Sequence, residues 1–131
     1  MTRIRKADMD WRLELVQVPV SDVDRAKAFY TAKAGFNEDH DHRVSDDVRF
    51  VQLTPPGSGC SIAIGTGLSA RPSTSPQSLQ LVVPDIKAAH AELVKRGVEV
   101  GEIEVMEGFS FAHFDDPDGN HWSVQELPDR E

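Results

Sequence analysis

The sequence predicts an α+β fold made of two βαβββ modules in tandem, and three observations carry the prediction. Val20-Ser-Asp22-Val is matched by Val83-Pro-Asp85-Ile at an offset of 63 residues, and Gly35 is matched by Gly97 at 62. Each half gives the same order of hydrophobic periods: one strand, one helix, three strands. Between the halves, residues 66–77 are dominated by Gly, Ser, Thr and Pro, a composition that cannot bury a core. The expected organisation is an N-terminal extension (1–10), a first module (11–65), a linker (66–77), a second module (78–127) and a tail (128–131).

In the first module, Trp11 to Val20 is β-branched and bulky with partial alternation, a strand limited by Pro19. Ser21 or Asp22 can cap the next helix, whose apolar positions Val23, Ala26 and Tyr30 fall on one face and which should stop at Gly35. Phe36 to Val44 is polar and suits an edge strand; Val48 to Leu53 and Cys60 to Gly65 are apolar strands joined by the turn Pro55-Pro-Gly-Ser-Gly59. The second module repeats this order. Leu79 to Val83 is a strand, Pro84-Asp85 opens a helix carrying Ile86, Ala89, Leu93 and Val94, and Gly97 closes it. Val98 to Met106, Phe109 to Phe114 and His121 to Leu127 complete the module, the last two joined by Asp115-Asp-Pro-Asp-Gly-Asn120, where Asp-Pro presets a turn and Gly119 supplies positive φ. Neither half can bury its own sheet face, so the two must share a core or pair across chains.

The chain has 131 residues, 14 basic and 22 acidic, for a net charge of −8. The hydrophobic share of 39% argues against disorder, and the acidic balance argues against a nucleic-acid partner, because beyond Arg3, Arg5 and Lys6 there is no basic stripe to displace phosphate counterions. Cys60 is the single cysteine and can form neither an internal disulfide nor a cysteine-rich zinc site. The basic start runs into Ala7-Asp-Met-Asp rather than an apolar segment, and no window approaches the ~18 apolar residues of a membrane span, so a soluble cytoplasmic protein without a membrane partner is expected.

The stretch Val18-Pro-Val-Ser-Asp-Val-Asp-Arg-Ala-Lys-Ala-Phe-Tyr30, the pair Gly35-Phe36 and the late Phe114-Asp-Asp-Pro-Asp-Gly-Asn120 resemble the vicinal oxygen chelate superfamily, which includes glyoxalase I, extradiol dioxygenases, fosfomycin-resistance transferases and bleomycin-binding resistance proteins. The resemblance runs from about Trp11 to Leu127. It implies a cupped, mostly antiparallel eight-stranded sheet with the helices outside, and a homodimer. Metal-dependent members place His or Glu on the first and last strands of each module; carried over, those positions fall at Leu15, Ala63, Ser78 and Ser123. A divalent ion needs imidazole, thiolate or carboxylate donors at about 2.0 to 2.6 Å, so neither a metal nor another cofactor is expected.

The same register implies which side chains line the cup between the modules, since alternate residues of a strand share a face. These are Leu15, Gln17, Ser61 and Ala63 from the first module, and Ser78, Gln80, Phe111, His113, His121, Ser123 and Gln125 from the second, with Phe109 as a further candidate; Trp122, Val124 and Phe114 should point under the helices. Such a lining suits recognition of an uncharged or weakly cationic small molecule more than chemistry that calls for a positioned base. No catalytic residues are assigned.

Among the five histidines, His40 and His42 could be a metal pair but fit a solvated edge strand better, and His90 fits a satisfied helix-boundary residue. His113 and His121 are brought side by side by the hairpin, either as a ligand-binding or acid/base pair or as two partly exposed hairpin residues. Cys60 is read as a small packed residue on the helix side. Phosphate loops, nucleophile elbows and His-Glu-x-x-His helices are absent from the sequence. The preferred expectation is a metal-free binder of a small organic molecule. The alternatives are a glyoxalase- or dioxygenase-like enzyme, a lyase, isomerase or dioxygenase with a non-standard metal site, and a ligand-responsive regulatory module.

Overall fold

A computed structural model describes residues 9–68 and 75–127. Most of the expected N-terminal extension, with Arg3, Arg5 and Lys6, the linker residues 69–74 and the tail 128–131 lie outside the described residues.

The first module runs β1 (Leu15–Gln17), α1 (Val23–Ala28), a π-helical segment (Phe29–Lys33), β2 (Asn37–Arg43), β3 (Arg49–Thr54) and β4 (Ser61–Thr66). The second runs β5 (Ser78–Val83), α2 (Ile86–Lys95), β6 (Glu104–Met106), β7 (Phe109–Asp115) and β8 (His121–Glu126). The eight strands form two four-stranded sheets, ordered β1-β4-β3-β2 and β5-β8-β7-β6. Both are mixed: β1 lies parallel to β4 and β5 parallel to β8, while the other neighbours are antiparallel. The repeat read from the sequence thus recurs as one topology used twice, with Asp22 capping α1 through the Arg25 N–H and Asp85 capping α2 through the Ala88 N–H.

Three elements differ from the sequence expectation. The strand expected over 11–20 shrinks to Leu15–Gln17, because a strand exists only where a neighbour accepts its ladder; Trp11 and Leu13 are 87% and 71% exposed. The strand expected from Val98 begins only at Glu104: the Val98 N–H donates to Leu93 O and closes the helix end, the Val100 N–H turns back to Val98 O, and the Gly101 N–H then reaches His113 O of β7. Helix α1 widens into the π-helical segment, where the Ala34 N–H reaches back five residues to Phe29 O. There the adjacent rings of Phe29 and Tyr30 both meet the second module, Phe29 against Phe114 and Tyr30 against Trp122.

One continuous core joins the modules: Ala26, Tyr30, Val51, Leu53 and Ile64 from the first, and Leu93, Phe114, Trp122 and Val124 from the second. Each fully buried Leu, Ile or Val here contributes about 1.5–3 kcal/mol. Phe36, at the foot of the edge strand farthest from β1, packs edge-on against Trp122. The sheets therefore meet back to back through their helix-covered faces. At the helix ends the approach is so close that a Cβ on Gly35, whose φ is +80°, would lie 1.6 Å from Arg96 Nη1.

The Asp115–Asn120 turn does more than join two strands. The Asp116 carboxylate, 5% exposed at the residue level, accepts from the Tyr30 hydroxyl at 2.6 Å and from the Asn120 backbone N–H at 2.8 Å. Asn120 is wholly buried and donates its amide to Pro19 O and Asp116 Oδ2 while accepting from the Gln77 N–H. On the first sheet, Arg49 bridges Asp24 of α1 and Asp41 of β2, and with Lys27 it holds the Asp41 carboxyl well below its ordinary range.

Candidate functional site

The pairing registers fix which side chains share the face turned away from the helices. On the first sheet Leu15 pairs with Ser61 and Gln17 with Ala63, and the next strand adds Gln52, opposite Ala63. Ser61 is buried at this face, receiving the Gln52 amide at 3.3 Å and lying 2.6 Å from the Thr54 hydroxyl. His40 and His42 stand opposite Gln52 and Phe50 on a strand whose seven residues are all exposed. Away from this face, His90 Nε2 is bonded to Gly101 O, and Cys60 is half-buried.

On the second sheet Ser78 pairs with His121, Gln80 with Ser123, Phe111 with Gln125 and His113 with Ser123. The Gln80 amide donates to Gln125 Oε1 at 2.6 Å, and the Ser123 hydroxyl donates to Gln80 Oε1 at 3.4 Å. Trp122, Val124 and Phe114 occupy the opposite, buried face. His113 Nδ1 lies 3.1 Å from His121 Nε2, and His121 Nδ1 lies 2.8 Å from Asp115 Oδ1. The rings of Phe111, His113 and His121 follow one another nearly parallel, at 8° and 21°.

The structure thus puts the expected residues of each module together but keeps the two groups apart within one chain. Because the modules meet through their helix-covered faces, the face carrying Leu15, Gln17, Ser61 and Ala63 points away from the face carrying Ser78, Gln80, Phe111, His113, His121, Ser123 and Gln125. Two cavities among the described residues stand out, the second of them reaching the second-module face at His113 and His121. One of 730 Å³ sits between the modules on the helix side, against Phe36, Leu93 and Val124. The other, of 560 Å³, lies at the rim of the second sheet, where His113, Asp115 and His121 meet Lys33 and Glu99.

Sequence reasoning alone does not single out Asp115 or Gln52. Asp115 shares the alternation of His113, and the hairpin sets it opposite His121, so the signal was present; Gln52 needed the β3–β4 register, which the sequence does not print. The locking role of Asp116 and Asn120 was hidden behind their turn composition.

A tandem pair of βαβββ modules, back to back, each with a polar sheet face turned away from the helices, defines the class of paired-module proteins to which the sequence motifs pointed. The family model for the glyoxalase/bleomycin resistance protein/dioxygenase superfamily matches residues 12–124, and the chain belongs to that superfamily. It is 30% identical over 113 residues to the uncharacterized protein YetH of Bacillus subtilis (strain 168), covering 85% of this chain and 94% of YetH. Among solved structures it is similar to TnmS3, an antibiotic binding protein from Streptomyces sp. CB03234, at 32% identity and a TM-score of 0.76, covering 89% of this chain and 96% of that one. It is similar also to a superfamily member from Sphaerobacter thermophilus DSM 20745, at 28% identity and a TM-score of 0.76, covering 90% and 98%.

The superfamily includes metal-dependent enzymes, so the donor set must be tested. The four implied positions hold Leu15, Ala63, Ser78 and Ser123, which together offer two hydroxyls and no imidazole, thiolate or carboxylate. These residues do not fit a divalent ion. Among the described residues no group of three or more His, Cys, Asp or Glu side chains is arranged to hold one elsewhere. No helix among the described residues is long and apolar enough to cross a membrane.

Proposed function

We propose that the chain binds a small organic molecule, without a metal, in cups closed when two copies pair, the first-module face of one copy over the second-module face of the other. The observation that carries this reading is the pair of faces turned away from the helices: each holds neutral hydrogen-bonding side chains, among them Gln17 on one and Gln80 on the other, and neither is covered by the other among the described residues. Exposed apolar residues border them, including Trp11 and Leu13 before β1 and Val82 and Phe109 on the second sheet. These give a second copy apolar area to cover. The similarity to an antibiotic binding protein supports a ligand of natural-product size. A single cysteine accords with a cytoplasmic setting.

The test is a thermal-shift screen of natural-product antibiotics in the presence of a strong chelator, with light scattering on the same samples. A dimer is expected, with ligands whose stabilisation persists in chelator. Each hit should weaken in Gln17→Ala and in Gln80→Ala by about 0.5–1.5 kcal/mol per hydrogen bond lost. Affinities unchanged in both variants, a monomer at working concentration, or a chelator that strips a stoichiometric metal together with the affinity would each refute the proposal.

A further inference from the structure

On the open face of the second sheet, Asp115, His121 and His113 make an unbroken hydrogen-bonded chain that packing does not require. The backbone register already sets His113 opposite Ser123 and Asp115 opposite His121, and the Asp115 and His121 side chains are 60% and 45% exposed. The direction of the chain follows from chemistry. A carboxylate only accepts, so His121 Nδ1 carries the hydrogen shared with Asp115 Oδ1 at 2.8 Å. In neutral His121, Nε2 is then a lone pair that accepts from His113 Nδ1–H at 3.1 Å. His113 Nε2 is left as a lone pair at the free end of the chain, with no hydrogen-bond partner among the described residues.

We propose that this chain is a proton relay and that its free end, His113 Nε2, takes the proton of a weakly acidic aromatic hydroxyl, so that the face binds phenols as their anions. This rests on the binding reading above and names the ligand class of the same face. The step balances. The ligand O–H bond breaks and its proton goes to His113 Nε2; the proton on His113 Nδ1 passes to His121 Nε2; His121, now a cation, keeps its Nδ1 proton against the Asp115 carboxylate. The ligand becomes an anion facing a neutral His113 that donates Nε2–H back to its oxygen. One proton has moved from ligand to His121, and the net charge of the complex is unchanged.

Two features select the class. A carboxylic acid is already ionised near neutral pH and needs no base, while an aliphatic alcohol is too weak an acid for imidazole, with an ordinary pKa of about 6.5, to deprotonate; a phenol, ordinarily at about 10 and lower when electron-poor, is the hydroxyl class nearest the imidazole range. The near-parallel row of Phe111, His113 and His121 offers ring faces and edges along which a flat aromatic can lie. The other charged groups bordering the relay are Lys33 of the π-helical segment, Glu99 after α2 and Asp116. Asp116 is committed to Tyr30 and Asn120, and Lys33 adds to the preference for an anion.

The probe is 4-nitrophenol, whose anion is coloured and whose neutral form is not, with nitrobenzene as a flat analogue lacking the hydroxyl. The full chain is titrated with each at about pH 7, above the ordinary imidazole pKa of about 6.5, so that the relay starts neutral and about half of the free 4-nitrophenol is ionised. Nearly all of the bound 4-nitrophenol should be coloured. In His113→Gln the coloured fraction of the 4-nitrophenol that still binds should fall to that of the free probe; in Asp115→Asn, which removes only the charge behind His121, it should fall to an intermediate value. Melting temperatures check that both exposed-face variants fold. Both probes bound with colour unchanged in His113→Gln overturns the relay alone, and binding of neither probe overturns it together with the binding reading.

Discussion

Replacing Tyr30 by Phe isolates the lock between the modules. The Tyr30 hydroxyl donates to Asp116 Oδ2 at 2.6 Å and accepts from Trp122 Nε1 at 3.0 Å, within a side chain that has no solvent exposure. The ring remains in Tyr30→Phe, so contacts with Phe29, Phe36 and Trp122 persist and the loss is confined to polar groups. A hydrogen bond to a charged acceptor contributes about 1.5–3 kcal/mol, and stranding the Trp122 N–H costs about 1–3 kcal/mol. Asp116 keeps the Asn120 backbone N–H, the Asn120 amide and the Asp118 N–H, so its charge is not left bare. The expected loss is about 3 kcal/mol, or roughly 10 °C in melting temperature for a domain of this size. Burial, followed by the hydrogen bond to Asp116, raises the Tyr30 pKa far above its ordinary value of 10.0. The folded state therefore keeps a proton that the unfolded state releases. Stability is fully present below pH ~10 and falls above it by up to ~1.4 kcal/mol per unit, a slope that Tyr30→Phe should lack. The chain contains one tyrosine, so phenolate absorbance reports this residue alone and should rise only as the protein unfolds. A destabilisation under about 1 kcal/mol, or phenolate titrating near pH ~10 in the folded protein, would refute the lock.

Two further substitutions test the registers. A Cβ on Gly65 would lie 2.0 Å from Arg49 O, backbone that cannot give way without opening the β3–β4 ladder, so Gly65→Ala should lose about 1–3 kcal/mol in urea unfolding; an unchanged midpoint would mean the strands pair differently. Combining Leu15→His, Ala63→Glu, Ser78→His and Ser123→Glu should create a four-donor site that no single chain can complete, so zinc should bind at one ion per chain and only in a dimer, as sedimentation with and without the ion will show. A monomer that takes the ion with all four donors would contradict the back-to-back packing.

The sequence was legible where local rules decide. Asp22 and Asp85 cap the helices they were expected to cap, Trp122, Val124 and Phe114 face the core, and the alternation of β7 and β8 placed His113, His121 and Ser123 on one face. It failed where a partner strand decides: Trp11 and Leu13 alternate like strand residues but lie outside the β1 ladder, and Val98 has strand composition yet closes a helix through Leu93 O. The relation between the two open faces was illegible for a different reason. It depends on the contacts of Phe29, Tyr30 and Phe36 with the second module, and nothing in the spelling of the helix face distinguishes a neighbour in the same module from one in the other.

The outward turn of the two faces also has a genetic consequence. If each cup takes the first-module face of one copy and the second-module face of its partner, a chain whose whole first-module face is disabled, Gln17 included, and a chain whose whole second-module face is disabled, Gln80 included, are each inactive as a pure population, because every cup contains the damaged face. Mixed, they form a pair in which one cup collects both lesions and the other receives none. Two inactive alleles would then complement each other when expressed together, with each mixed pair recovering half of its binding capacity.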